Sequence, residues 1–453
     1  MIQSTSCPIR SSPTGTDPST TRFRVATTRA GILPVLAALL VVGAPLLAQE
    51  LPTTRPERVG MSSERLEELT TVLREYVNQD RLPGVAAMVL RDGRVVYHEA
   101  VGRRDRESSD PMTTDAIFRI ASQTKAIVSV GTMMLQEEGE LLISDPLSRY
   151  IPEFADLTVA EPREGGGYDV VEAERPITLR DLLTHTSGIG YGSGPGEDQW
   201  SEAGITGWYF GHRNEPIQET VKRMAELPLP SQPGEAWVYG YSTDILGAVI
   251  EIVSGMPLDQ FLRTRIFEPM KMVDTHFYLP REKGERLATV YSLPEGGTLS
   301  RAPEGSGMQT QGEYVEGPRR SFSGGAGLMS TTRDYARFLQ MLVNGGELEG
   351  ARILSPKTVA LMTSDHVGEL YGGEGMGFGL GFRIRLALGA SSLPGSVGDF
   401  GWGGAYHSTY WADPVENLVV VYLTQVIPAS GLDDQDKLRA LVYSAITESY
   451  ARD

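Results

Sequence analysis

The sequence predicts an α+β fold: one antiparallel sheet built from the N- and C-terminal segments, flanked by helices, with an inserted helical region. Two observations predict it. Hairpin patterns and an amphipathic helix occur near both ends of the 453-residue chain. The stretch between them has mostly helical and turn-rich patterns, which places the insertion in the middle.

The first 48 residues differ in composition from the rest. Arg22, Arg24 and Arg29 precede an uncharged apolar run over 30–48, which ends at the small residue Ala48. This order is typical of a signal peptide. A membrane anchor is the alternative, because the run is near the lower length limit for a span. We therefore expect an exported protein, periplasmic or secreted, with no membrane contact after cleavage.

A helix and a hairpin are predicted to open the folded domain. Residues 49–61 are expected to form a linker, and Ser62 is a typical N-cap for the helix that follows. Val85–Leu90 and Arg94–His98 then flank Asp92-Gly93, which is a strong signal for a two-residue hairpin turn.

A second hairpin and a helix are predicted to close the domain. Ser408–Ala412 and Leu418–Leu423 flank the turn residues Asp413-Pro414, and a C-terminal amphipathic helix follows. Turn-rich stretches at 187–198 and 293–327 are expected to be functional loops or insertions. The predicted boundaries are a signal peptide over 1–48, a linker over 49–61 and a hydrolase domain over 62–448, with an α/β part at about 62–120 and 325–448 and a helical part at about 121–324.

Composition excludes several classes of function. The net charge of −17 argues against nucleic acid and against anionic membrane surfaces, because both require a basic face. The single cysteine, Cys7, lies in the predicted signal peptide, so a mature chain would lack a thiol for disulfides, metal binding or nucleophilic attack. G-x-S-x-G, H-E-x-x-H, Walker and EF-hand patterns are absent from the sequence, and no metal or cofactor is expected.

A candidate nucleophile begins a long apolar segment. Ser122-Gln123-Thr124-Lys125 precedes an apolar run over 126–135, which predicts a buried helix with Ser122 in its first turn. Positions i and i+3 share a helix face, so the Lys125 amine can reach the Ser122 hydroxyl. An amine in that position can take the serine proton and activate the nucleophile. A capping serine beside a surface lysine is the alternative.

Two further segments could complete a site. Tyr239 follows Pro233-Gly234 and Trp237 on a short segment before a predicted helix, Asp244–Val253, where a phenol can transfer a proton. Packing aromatics are the alternative. In Trp402-Gly403-Gly404-Ala405 the glycines permit close approach of a ligand, and a backbone N–H can stabilise an oxyanion. A bend in the sheet is the alternative there.

Together these segments resemble the class C β-lactamases and other penicillin-recognising serine hydrolases, most closely the family VIII carboxylesterases. Those enzymes carry S-x-x-K, a tyrosine in P-G-x-x-W-x-Y, and W-x-G in place of the lysine-threonine-glycine of β-lactamases. Ser122–Lys125, Pro233–Tyr239 and Trp402–Gly404 match these motifs in order and spacing. The resemblance covers roughly residues 60–448 and implies a β-lactamase/transpeptidase-like fold.

The resemblance also implies a mechanism. Ser122 would attack a carbonyl and form an acyl-enzyme, and Lys125 with Tyr239 would transfer the proton. Backbone N–H groups of Ser122 and Ala405 would hold the oxyanion. The substrate-binding residues expected on the same grounds are Trp402, Gly403, Gly404, Tyr241 and His407.

The chain departs from the family pattern at three positions. The β-lactamase triplet Tyr-x-Asn is Tyr239-Gly240-Tyr241 here, which lacks the asparagine that would orient the lysine and makes Tyr241 a rival for the catalytic phenol. Trp402 replaces the lysine that binds the β-lactam carboxylate, which favours neutral esters. His407 stands where these esterases often carry a small residue; it either lines the acyl pocket or is structural. His185 is interpreted as a residue that braces its loop.

The sequence therefore predicts a serine hydrolase of small-molecule esters or amides, foremost carboxylic esters. A β-lactamase or a D-amino-acid (DD-) peptidase with the same Ser122, Lys125 and Tyr239 site is the alternative. A lysine or arginine projecting into the site from elsewhere would favour that alternative. A transacylase, in which a second substrate replaces water, stays open. A non-catalytic binding protein is disfavoured, because all three catalytic residues are present.

Overall fold

A computed structural model describes residues 51–373 and 375–451. The predicted signal peptide, 1–48, lies outside the described residues. Within them, the α-helices are α1 (Ser63–Asn78), α2 (Thr124–Glu137), α3 (Leu179–Leu183), α4 (Glu197–Glu202), α5 (Ile217–Met224), α6 (Ser242–Ser254), α7 (Leu258–Leu262), α8 (Thr332–Val343), α9 (Pro356–Met362) and α10 (Asp434–Ser444).

The strands of the described residues are mostly short outside the main sheet. They are β1 (Gly84–Arg91), β2 (Arg94–Asp105), β3 (Asp110–Pro111), β4 (Phe118–Arg119), β5 (Thr158–Pro162), β6 (Tyr168–Glu172), β7 (Tyr291–Leu293), β8 (Ser300–Arg301), β9 (Met329–Ser330), β10 (Glu347–Leu348), β11 (Ala351–Arg352), β12 (Met376–Phe378), β13 (Arg383–Arg385), β14 (Phe400–Gly404), β15 (Ser408–Asp413), β16 (Leu418–Thr424) and β17 (Val426–Ala429).

Both ends of the domain join in one eight-stranded antiparallel sheet. Its strand order is β12-β13-β14-β15-β16-β1-β2-β3, so the N-terminal strands continue the C-terminal ones. The junction is the β1–β16 pair, in register from Val85↔Thr424 to Arg91↔Leu418. Both predicted hairpins are present, as β1–β2 and β15–β16. The α+β prediction is confirmed.

Helices cover both faces of this sheet. Alternate residues of β1 point to opposite sides: Val85, Ala87 and Val89 pack with α1 and α10, whereas Ala86, Met88 and Leu90 belong to the larger core with α2, α6 and α8. All eight residues of β1 are buried. Burial on both faces explains why residues 85–90 of this strand form an uninterrupted apolar run.

The segment that was predicted to be a linker packs on the domain from residue 51 onward. Leu51, Val59 and Met61 are buried, and Thr53 pairs with Val95 next to the sheet. Three apolar side chains interspersed among polar ones are enough to attach an irregular segment to a core, because each buried one contributes about 1.5–3 kcal/mol.

The inserted region begins and ends at neighbouring points. Strand β4 pairs with β9, and Ile120 N–H donates to the Leu328 carbonyl at 3.0 Å, so the chain leaves the α/β part and returns to it side by side. In the described part of the chain no single helix has the length and composition of a membrane span; only α6 taken with Leu258–Phe267, two segments bent by 80°, meets that criterion.

Candidate active site

Ser122 lies in a single 3₁₀ turn, Ala121–Gln123, directly before the buried helix α2. Ala121 has φ of 42°, a left-handed conformation that a residue with a side chain adopts at a cost. A buried hydrogen bond stabilises the turn, because the Tyr335 hydroxyl donates to the Gln123 carbonyl at 2.9 Å. Ser122 is half-buried and lines a cavity of about 620 Å³.

Lys125 is buried one turn beyond Ser122, with 2% of its surface exposed. Its Nζ donates to the Gly325 carbonyl at 2.8 Å and to the Tyr191 hydroxyl at 2.8 Å. The lysine is therefore no surface residue, which removes the alternative interpretation of the motif. Two fixed acceptors orient the amine, because a buried donor without partners would be costly.

A buried carboxylate stands behind Lys125. Oδ1 of Asp244, in the first turn of α6, accepts from Gly325 N–H at 3.0 Å and from the Ser323 hydroxyl at 2.6 Å. Burial raises the pKa of Asp244, and Lys125 acts in the opposite direction. The two groups are thus electrostatically linked through the Gly325 peptide, although they form no direct ion pair.

Tyr239 lines the same cavity as Ser122. Its phenol oxygen accepts a hydrogen bond from Trp402 Nε1 at 3.0 Å, and Lys125 Nζ lies 4.6 Å from the centre of its ring. The ring also packs on His185 at 4.7 Å and Trp237 at 5.6 Å between centroids. The structure therefore brings Ser122, Lys125 and Tyr239 together, with Trp402 as the partner of the phenol.

His185 supports the tyrosine segment. Its carbonyl accepts from Val238 N–H at 2.7 Å, and its ring touches Trp237 and Phe378 as well as Tyr239. Burial, with Lys125 nearby, places the pKa of His185 well below its usual range, so the ring is neutral. This position agrees with the interpretation of His185 as a residue that braces its loop.

Tyr241 lies away from the cavity, contrary to its predicted role in substrate binding and to its candidacy as catalytic phenol. It is fully buried, its hydroxyl donates to the Gly207 carbonyl at 2.7 Å, and its ring stacks on Trp200 and Phe210. Tyr241 is the N-cap residue of α6, and its ring lies in the core although Tyr239, two residues earlier, lines the cavity.

Tyr191 is the site residue that the sequence did not single out. It lines the cavity and accepts from Lys125, so it makes a contact that the missing asparagine was expected to leave open. Its ring meets those of Tyr239 and Tyr241 edge-on, at 5.7 and 5.0 Å. The available signal was its place in the turn-rich stretch at 187–198, which was predicted to be a functional loop.

The end of β14 reaches the Ser122 turn because Gly404 lacks a side chain. A Cβ at Gly404 would lie 2.5 Å from the Ile120 carbonyl oxygen. This close approach brings Gly403, Gly404 and Ala405 into the lining of the Ser122 cavity. The predicted oxyanion-hole residues, Ser122 and Ala405, therefore share one cavity.

His407 also lines the cavity, at the turn between β14 and β15. Its Nε2 lies 2.7 Å from Oδ1 of the buried Asp434, which also accepts from the Tyr422 hydroxyl. With φ of 59°, the residue occupies a conformation that favours glycine. The two proposed roles are therefore combined, since His407 faces the cavity and is anchored by a structural hydrogen bond.

In the residues that the structure describes, no group of three or more His, Cys, Asp or Glu side chains is arranged to hold a metal ion. The groups around Ser122 include its own hydroxyl, the Lys125 amine, the phenols of Tyr191 and Tyr239, and backbone N–H groups. Such a set can carry out acyl transfer through a covalent intermediate.

Comparison with known proteins gives a consistent result. The Beta-lactamase family model matches residues 69–443. Esterase EstB of Burkholderia gladioli is 33% identical over 373 residues, which cover 79% of this chain and 89% of that protein. Uncharacterized protein MT1414 of Mycobacterium tuberculosis is 32% identical over 388 residues, 80% of this chain and 90% of that protein.

A solved structure agrees with this. EstCE1, described as a hydrolase with promiscuous acyltransferase activity, superposes with a TM-score of 0.71 at 28% identity. The match covers 85% of this chain and 99% of that chain.

Proposed function

The chain belongs to the Beta-lactamase family and is a serine hydrolase, and from this premise we propose that it hydrolyses carboxylic esters through an acyl-enzyme on Ser122. The observation that carries the proposal is the contact of Trp402 Nε1 with the Tyr239 phenol in the Ser122 cavity. An uncharged indole stands there where β-lactamases carry a lysine and supports the phenol, so position 402 itself offers no cation to a carboxylate. The similarity to Esterase EstB supports the same substrate class.

In the proposed first step, Ser122 Oγ attacks the ester carbonyl and its proton passes to the Lys125–Tyr239 pair. The carbonyl oxygen becomes an oxyanion, for which the N–H groups of Ser122 and Ala405 are the proposed donors. The carbon–oxygen bond to the alcohol then breaks, and the alcohol leaves with the proton. The product is an ester between the acyl group and Ser122.

In the second step, water attacks the carbonyl carbon of the Ser122 ester and gives its proton to the same pair. The bond between that carbon and Ser122 Oγ then breaks, the carboxylic acid leaves, and the proton returns to Ser122 Oγ. Lys125 keeps its orientation throughout through Gly325 and Tyr191. Tyr239 sits between the amine and the open cavity, with its oxygen fixed by Trp402. This order makes Tyr239 the group that meets the leaving alcohol and the incoming water.

The test compares 4-nitrophenyl butyrate with a chromogenic cephalosporin, using wild type, Ser122→Ala and Ser300→Ala. Ser300 is exposed on β8 and supplies the same substitution outside the cavity. We expect wild type and Ser300→Ala to hydrolyse the ester with little cephalosporin cleavage. Loss of the nucleophile should reduce ester turnover by at least about 10³-fold in Ser122→Ala.

The other outcomes separate the alternatives. Ester turnover that persists in Ser122→Ala would disprove the nucleophile assignment. Equal or faster cephalosporin cleavage by wild type would instead assign the chain to the β-lactamases.

We also propose that residues 1–48 direct export and are removed. Support comes from the sequence, in which three arginines precede an apolar run that ends at Ala48. The active enzyme would then begin near residue 49 and work in a periplasm or outside the cell.

A further inference from the structure

The Ser122 cavity contains an arginine for which the sequence predicts no role. Arg383 is the first residue of β13 and pairs with Gly401 of β14. Its side chain is exposed and lines the cavity together with Ser122, Tyr239 and Trp402. The neighbouring strand thus adds a cation to a cavity in which position 402 has none.

The guanidinium of Arg383 stands among aromatic side chains. Burial raises the pKa of the Tyr371 phenol, and Arg383 acts against this rise, which places the guanidinium beside that phenol. Tyr371 in turn packs against Trp237, 5.0 Å between centroids. Trp237 stacks on Tyr239, 5.6 Å between centroids, so the arginine lies at the edge of the aromatic group that surrounds the catalytic phenol.

Arg383 is the cation of this lining that stays available for a ligand. The other arginine in the lining, Arg439, donates to Asp399 at 2.5 Å, and Arg385 binds the same carboxylate oxygen at 2.8 Å. The lining also contains one acidic residue, Asp436 on α10, which forms no ion pair with Arg383 in the described residues. Within residues 51–373 and 375–451, no Asp or Glu forms an ion pair with Arg383.

We infer that Arg383 binds a carboxylate carried by the ester, so that the enzyme prefers anionic esters to neutral ones. This inference rests on the proposed ester hydrolysis at Ser122. It reverses the expectation that the lack of charge at Trp402 selects neutral esters, because the cation comes from β13. An arginine entering the site from elsewhere was also expected to favour a β-lactamase or DD-peptidase, and the comparison of ester with cephalosporin described above distinguishes that alternative. The guanidinium fork matches the two oxygens of a carboxylate.

The experiment uses two matched ester pairs, one for each side of the scissile bond. Mono-4-nitrophenyl glutarate against 4-nitrophenyl butyrate tests a carboxylate on the acyl side. 4-Butyryloxybenzoate against phenyl butyrate tests one on the alcohol side. For each pair the ratio of kcat/KM, anionic over neutral, is measured for wild type, Arg383→Gln, Arg383→Lys and Arg94→Gln. Arg94 is exposed at the start of β2 and gives the same charge change outside the cavity.

The ratio should fall about tenfold in Arg383→Gln for one of the two pairs, which identifies the side that carries the carboxylate; tenfold corresponds to about 1.4 kcal/mol. Arg383→Lys should restore part of the ratio, and Arg94→Gln should keep it. Added KCl should lower the wild-type ratio, because salt screens a partly exposed ion pair.

Two results would contradict the inference while wild type still hydrolyses esters. One is an unchanged ratio in Arg383→Gln for both pairs, and the other is an equal fall in Arg94→Gln. Wild type inactive on all four esters would instead disprove the proposed function, and the inference with it. Thermal unfolding of each variant shows whether a lost rate reflects a lost fold.

Discussion

At the residue scale, the candidate site depends on how Lys125 is held. The amine donates to a carbonyl and to a phenol, and the buried Asp244 stands behind the Gly325 peptide. Tyr191 and Tyr241 are adjacent rings with different partners, since one binds Lys125 and the other binds the Gly207 carbonyl. Burial raises the pKa of both phenols, so both stay protonated near neutral pH.

Replacing Tyr191 by phenylalanine should therefore slow catalysis. Tyr191→Phe keeps the ring packing and removes one acceptor from the amine, which leaves a buried donor unsatisfied at about 1–3 kcal/mol. We expect kcat for ester hydrolysis to fall about 10- to 100-fold, with a changed pH–rate profile.

Tyr241→Phe is the matched control, because it also deletes a buried hydroxyl but not one bound to Lys125. This substitution should lower the melting temperature and leave kcat for ester hydrolysis nearly unchanged. A larger rate loss in Tyr241→Phe than in Tyr191→Phe would contradict this division of roles.

At the element scale, the end of β14 and the Ser122 turn are far apart in the sequence but lie in contact in the fold. Gly404 permits this contact because it has no side chain. Strand β13 pairs only with Phe400 and Gly401 of β14, and beyond them Gly403, Gly404 and Ala405 line the cavity. β14 pairs with β15 along its whole length, from Phe400↔Ala412 to Gly404↔Ser408, while its second half, beyond β13, also lines the site. The close approach to the nucleophile turn explains why glycines replace the bulky residues usual in strands.

Substituting Gly404 by alanine should separate these two elements. Its Cβ would lie 2.5 Å from both the Ile120 carbonyl oxygen and Ser408 Oγ, and the carbonyl cannot move without shifting the nucleophile turn. We expect Gly404→Ala to lose most ester hydrolysis and to destabilise the fold by about 1–3 kcal/mol in urea unfolding.

Gly389→Ala is the control for this change, since a Cβ there meets nothing within 4 Å. It should retain activity and stability. Full activity in Gly404→Ala would show that the strand and the turn need not approach so closely.

At the scale of the whole molecule, the sheet joins the two ends of the domain and leaves the inserted region attached at one place. The β1–β16 pair joins the N-terminal strands of the sheet to the C-terminal strands. The β4–β9 pair joins the start of the inserted region to its end. The cavity lies where these parts meet, with Ser122, Tyr191 and Tyr239 on one side and β13, β14 and α10 on the other. A site assembled from distant segments requires the complete domain.

The proposed export concerns the complete chain and has its own test. Expression in a bacterial host with an intact secretion system should give a protein whose mass corresponds to a start near residue 49, because cleavage is expected after Ala48. Replacing Arg22, Arg24 and Arg29 together should leave more uncleaved protein in the cytoplasm. An exported protein that keeps residues 1–48 would indicate an anchor, and an uncleaved cytoplasmic protein would contradict export.

The sequence by itself determined the fold class, the two hairpins and the family, because each depends on local patterns: alternation in strands, turn residues, and motifs in a fixed order. The family resemblance is confirmed by the match over residues 69–443. The helix that follows Ser122 was predictable for the same reason, since its apolar residues adjoin one another in the chain.

Only the tertiary structure decided which side chains share the cavity. Tyr191 and Arg383 lie 69 and 261 positions from Ser122 in the chain, and no local pattern specifies such a contact. Tyr241 shows the converse, because it is adjacent to the tyrosine motif yet its ring packs in the core. Its direction follows from the start of α6 and from the space between Trp200 and Phe210, which exists only after distant segments have packed together.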